Sequence, residues 1–131
     1  MNARDLNGLA LAYIGDAYYE LLIREFLIGQ GITKVKELHT KATLLARSDN
    51  QVKFINYFLT NNILESIEVD VFKKGRNAKP GNNRKKLPKE IQHKATGFEA
   101  LIGHLYLENK KERIMELFTL IIKFLDCEGE V

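Results

Sequence analysis

The chain has 131 residues, 45% of them hydrophobic and 28% charged, a balance that suits one folded domain with its own core. Its apolar stretches are broken by charges, which excludes a span of about 20 lipid-facing residues, and Met1 to Leu6 has a charge pair and no apolar run, so no signal peptide is expected. Cys127 is the single cysteine, which excludes an internal disulfide framework and a cysteine metal cluster. A cytoplasmic protein is the default expectation.

The formal net charge of +3 conceals an asymmetry. Between Lys73 and Lys94 nine basic residues face Glu90 alone, a local charge of +8, while the remainder carries eleven basic and sixteen acidic residues, or −5. One basic segment on an otherwise acidic chain points to an anionic partner or to a solvated lysine-rich loop.

In chain order, Leu6 to Ile28 is apolar almost all round and reads as a buried helix ended by Gly29 and Gly31. Thr33 is the expected cap of a second helix running to about Ala46. Ser48 or Asp49 caps a third, Gln51 to Leu59, and Asn61 and Asn62 precede a fourth, about Ile63 to Lys73. Pro80, Pro88, Gly75, Gly81, Asn77, Asn82 and Asn83 mark a basic loop, about 73–89. A fifth helix follows from about Glu90 to Leu107, and a sixth from about Lys110 to Leu125 with Ile114, Leu117, Phe118, Ile121, Ile122 and Leu125 on one face. Beyond Asp126 a frayed acidic tail is expected. No period-2 strand and no repeat is evident, so the fold class is all-α.

Two carboxylates stand out. Asp16 lies within an apolar run beside Gly15, which weakens a helix by roughly 1 kcal/mol relative to alanine. Glu20 is well placed to pair with Arg24, which leaves Asp16 with a like charge one turn away; the alternative is that this stripe faces solvent. Glu99 lies in Thr96-Gly97-Phe98-Glu99-Ala100-Leu101-Ile102-Gly103, where Gly103 bares the same face one turn on. That bareness suits a hydrated metal or a close helix crossing. Hard oxygen ligands suit Mg²⁺, which keeps several waters, and a metal-bound water can hydrolyse a phosphodiester. His39, His93 and His104 show no zinc spacing. Tyr13, Tyr18 and Tyr19 fit a core or a dimer interface better than a base-stacking platform.

The run Leu9-Ala10-Leu11-Ala12-Tyr13-Ile14-Gly15-Asp16 resembles the ribonuclease III signature, and Phe98-Glu99-Ala100-Leu101-Ile102-Gly103 resembles that family's second motif. Leu6 to Ala17, Gly75-Arg76-Asn77-Ala78-Lys79 and Ala95 to Leu101 together resemble the mini-ribonuclease III branch, whose short chains have no separate double-stranded-RNA-binding domain. The resemblance covers nearly the whole chain. It implies one ribonuclease III-like helical catalytic domain over residues 1–131. The implied activity is Mg²⁺-dependent endonuclease cleavage of double-stranded RNA by a homodimer, leaving 5′-phosphate and 3′-hydroxyl ends. It further implies maturation of 23S ribosomal RNA precursor.

On this resemblance Asp16 and Glu99 are the catalytic metal ligands. The family's other acids fall on Leu9, Ala12 and Thr96, so waters are expected around the metal where side chains are missing. Lys73, Lys74, Arg76, Asn77, Lys79, Arg84, Lys85 and Lys86 are the expected RNA-binding residues. The competing reading is a non-catalytic RNA-binding or ribosome-associated module on the same fold; retention of both carboxylates speaks against it.

Overall fold

The computed structural model describes residues 2–79 and 87–128. After a short 3-10 turn, Ala3–Asp5, six helices follow: α1 (Gly8–Gly29), α2 (Val35–Ala46), α3 (Ser48–Thr60), α4 (Ser66–Arg76), α5 (Lys89–Leu107) and α6 (Lys111–Cys127). Among the described residues there is no strand. Arg84, Lys85 and Lys86 lie outside the described residues.

Helix ends depart from the sequence expectations for local reasons. Asn7 opens α1, its side chain accepting from the Ala10 N–H at 2.8 Å. Thr33 does not cap α2, which starts two residues later with Lys34 in the cap position. The fourth helix starts at Ser66 because Asn62 adopts a left-handed φ of 52° that breaks the chain direction after α3. The Glu68 carboxylate then accepts from the Glu65 N–H at 2.8 Å, one half of a capping box. The same helix also runs on through Arg76, so Lys73, Lys74, Gly75 and Arg76 are helical and the expected loop begins later.

The core centres on α5, with α1, α3 and α4 packed around it. Phe98 is fully buried and meets the Tyr19 ring edge-on at 5.1 Å. Tyr19 donates its hydroxyl to the Leu45 carbonyl at 2.9 Å, tying α1 to α2. The expected apolar face of α6 is the buried one, with Ile114, Leu117, Phe118, Ile121 and Leu125 in the core and Ile122 packed against it.

One correction bears on function. The first helix is not buried all round: Tyr13 is 84% exposed, and Leu9, Leu21 and Ile28 are exposed too. Asp16 lies on this solvent side. Arg24 pairs with Glu20 at 3.4 Å, as the spacing predicts, and both lie toward solvent. Hydrophobic composition misled here because apolar residues occupy both sides of α1.

α6 is fastened to the bundle by a buried ion pair. Arg113 donates to both oxygens of Glu68, from Nη2 at 2.8 Å and Nε at 2.9 Å, and to the Ile63 carbonyl at 2.8 Å. Burial pushes the Glu68 carboxyl up, but the Arg113 and Glu65 hydrogen bonds and the charges of Arg113 and Lys110 outweigh it and hold the group below its usual range. A lowered carboxylate stabilises the fold above the ordinary glutamate pKa and loses that contribution as pH falls through its folded value. Glu68→Gln is therefore expected to cost about 3 kcal/mol at neutral pH. In thermal melts at several pH values the gap between variant and wild type should begin to narrow below about pH 4 and close as the pH falls through the lowered folded value. A gap that stays constant would mean that the charge of Glu68 contributes nothing.

Candidate active site

The carboxylate-bearing helices meet through glycine. A Cβ built on Gly15 would stand 1.8 Å from the Glu99 carbonyl oxygen, and one on Gly103 would stand 1.9 Å from that of Leu11. Real side chains never come so close, so α1 and α5 touch backbone to backbone at the residue before Asp16 and at the carbonyl of Glu99. Gly103 thus serves a close crossing, one of the two readings its sequence context allows.

α4 joins the same junction by the same device. A Cβ on Gly8 would meet the Lys74 carbonyl oxygen at 2.6 Å, and one on Gly75 would meet the Ala100 Cβ at 2.6 Å and the Gly97 Cα at 2.9 Å. Gly75, which reads as a turn former in the sequence, is buried within α4 and seats that helix on α5. The end of α4, with Arg76 and its C-cap Asn77, is thereby held against the turn of α5 that runs from Thr96 to Ala100.

The two carboxylates differ in setting. Asp16 is exposed, whereas Glu99 is 5% exposed within α5. Its negative charge is felt by Tyr19, whose phenol is pushed far above its usual range by burial first, and then by Glu20 and Glu99. Tyr19 therefore stays a neutral donor to Leu45 at any working pH. Ala12, one turn before Asp16, is buried. The Thr96 hydroxyl donates to the Gln92 carbonyl at 2.9 Å, so it is engaged by its own helix. Among the described residues no group of three or more His, Cys, Asp or Glu side chains is set to hold a metal ion.

Of the expected RNA-binding residues, Lys73, Lys74, Asn77 and Lys79 are exposed and Arg76 is half-buried. Lys74 Nζ donates to the Arg4 carbonyl at 3.3 Å, and Arg76 Nε to Asn77 Oδ1 at 3.3 Å. His39 is exposed and His93 half-buried. His104 is buried behind α4, with its Nδ1 lacking a hydrogen-bond partner. Burial holds His104 below its usual pKa; Glu108 opposes this, and Lys110, Arg4 and Lys74 add to it. The packing role of Gly8 and Gly97 escaped the sequence reading, although helical glycines in apolar company are the available signal.

Residues 9–110 match the family model described as the ribonuclease III domain, which spans α1 to the turn after α5. The chain belongs to the ribonuclease III family and is an endoribonuclease of that type. Within that family it is similar to proteins named mini-ribonuclease 3. The protein of that name from Acholeplasma laidlawii is 49% identical over 95% of this chain and 98% of its own length. That from Enterococcus faecalis is 42% identical over 92% of this chain and 91% of its own. A crystal structure of a Fusobacterium nucleatum protein superposes with a TM-score of 0.80 at 28% identity, covering 98% of this chain and 97% of that one. No helix of the described residues is long and apolar enough to cross a membrane.

Proposed function

We propose that this endoribonuclease cleaves double-stranded RNA as a Mg²⁺-dependent homodimer in the cytoplasm, leaving 5′-phosphate and 3′-hydroxyl ends, and matures the ends of 23S ribosomal RNA precursor. The observation that carries the reading is the glycine junction: α1, α4 and α5 meet where Asp16, Glu99 and the Arg76-Asn77 helix end lie.

Asp16 and Glu99 are the ligands that would hold the ion. Two carboxylates from abutting helices, with Ala12 and Thr96 supplying no acid, suit an ion that retains most of its water shell. When bound, Mg²⁺ supplies an activated water and offsets charge on the leaving oxygen. Lys73, Lys74, Arg76 and Lys79, continued by Arg84, Lys85 and Lys86 outside the described residues, bind the phosphate backbone. Asn77 offers an amide to a ribose 2′-hydroxyl, the group that separates RNA from DNA.

The apolar solvent side of α1 supports the dimer. Leu9, Tyr13, Leu21 and Ile28 form an exposed apolar stripe on the helix that also presents Asp16. A second copy of the chain covering that stripe about a two-fold axis brings two Asp16 sites to one duplex, whose backbone has matching pseudo-symmetry.

Purified protein incubated with a duplex RNA should cut it in Mg²⁺ and leave it intact in EDTA. Replacing Arg76, Lys79, Arg84, Lys85 and Lys86 by alanine should weaken duplex binding in Ca²⁺ and flatten its salt dependence, since each lost phosphate contact removes counterion release. An intact duplex in Mg²⁺ would refute the nuclease reading. An unchanged salt slope would put the RNA elsewhere on the protein.

A further inference from the structure

Within the last turn of α4, Phe72 and Arg76 form an arrangement with its own consequence. Phe72 is buried, yet Cζ of Arg76 lies over its ring, 5.6 Å from the centroid. Along one edge the ring rests on α5. A Cβ on Gly97 would stand 2.6 Å from Phe72 Cδ1 and 2.7 Å from Cε1, so only glycine leaves room for it. The ring therefore carries the guanidinium on its face while its edge is fixed by main chain two residues before Glu99.

Arg76 is thereby set apart from its basic neighbours. Lys73, Lys74 and Lys79 are exposed, whereas Arg76 is half-buried and held both by the ring and by its Nε contact to Asn77 Oδ1 at 3.3 Å. A free arginine side chain samples many rotamers. A side chain already confined when RNA arrives loses less of that freedom, so its hydrogen bonds contribute more of their strength to binding. Contact with the ring occupies no N–H donor of the guanidinium, and with Nε on Asn77 the terminal N–H groups can still meet phosphate oxygens.

We infer that Phe72 is a positioning residue: seated on Gly97, it aims the Arg76 guanidinium at the backbone of duplex RNA beside the Thr96–Ala100 turn. This rests on the reading of the chain as a duplex-RNA enzyme that uses Arg76. Phe72 acts through Arg76 and does not itself meet the substrate.

The test is a double-mutant cycle on duplex RNA affinity, measured in EDTA with the full-length protein so that no cleavage intervenes. Arg76→Ala should weaken binding about ten-fold, as for a charge-assisted hydrogen bond. Phe72→Leu should weaken it about two- to five-fold in the wild-type background, the range of an exposed cation–π contact, and should have no effect in the Arg76→Ala background. Should the leucine variant fail to fold, Phe72→Met fills the same space with a softer side chain and is held to the same outcome. Thermal melting should fall in both backgrounds, because most of the loss is packing that does not involve Arg76. Equal loss of RNA affinity in both backgrounds would overturn the proposal and leave Phe72 a packing residue, with the RNA reading of Arg76 intact. No loss on Arg76→Ala alone would remove that reading of Arg76 and the positioning role with it.

Discussion

Replacing Asp16 by asparagine, or Glu99 by glutamine, is expected to abolish RNA cleavage while leaving the helical fold intact. Each change keeps the shape of the side chain and removes the charge that would hold a divalent ion. Loss of the several kcal/mol of charge stabilisation that such an ion contributes corresponds to roughly 10²- to 10³-fold or more in rate. Stability should respond differently at the two positions. Asp16 is exposed, so its change should stay within about 0.5 kcal/mol. Glu99 is buried, and a neutral amide of equal size sits in such a place at lower desolvation cost. Single-turnover cleavage of a duplex, with circular dichroism melts alongside, separates the two effects. Near wild-type cleavage by either variant in low millimolar Mg²⁺ would remove that residue from the site.

Gly103→Ala should be more damaging than its single added methyl suggests. Its Cβ would have to occupy a point 1.9 Å from the Leu11 carbonyl oxygen, and that atom is backbone, which cannot rotate aside. α1 and α5 must separate, so the cost should exceed the 1–3 kcal/mol typical of overpacking, at about 3 kcal/mol or more. Gly15→Ala faces the Glu99 carbonyl at 1.8 Å and should behave alike. Gly29→Ala is the control: nothing lies within 4 Å of its Cβ, and alanine in a helix end should be neutral or stabilising by up to about 1 kcal/mol. Urea unfolding of the three variants checks the order. If the Gly103 variant is as stable as the Gly29 variant, the backbone contact is not what joins these helices.

Much of the fold was legible in the sequence because helix periodicity is a local signal. The face of α6 and the extent of α5, within one residue of its start, follow from it directly. Asp16 and Glu99 were legible as misfits, acids in apolar helical runs beside glycine. What Asp16 misfitted was less legible: α1 is apolar on both sides, and composition does not tell a core face from one turned to solvent. The start of α4 was hidden because it depends on the left-handed turn at Asn62. Partners distant in sequence were invisible for another reason. Glu68 and Arg113 lie forty-five residues apart, and nothing local to either names the other. Gly75 was misassigned to a loop because glycine between lysines and asparagine signals a turn as readily as a close crossing; only the seat of α4 on α5 decides between them.

The glycine crossings have a consequence for how the enzyme can change. A spacing set by side chains drifts as rotamers exchange and as neighbours are substituted, but one set by main chain against main chain rests on the van der Waals contact of atoms that have no rotamers to exchange. The helices bearing Asp16 and Glu99 are gauged in this way, as parts clamped in a jig. The separation of the two backbones that carry these acids is then insensitive to which side chains α1 and α4 turn to solvent.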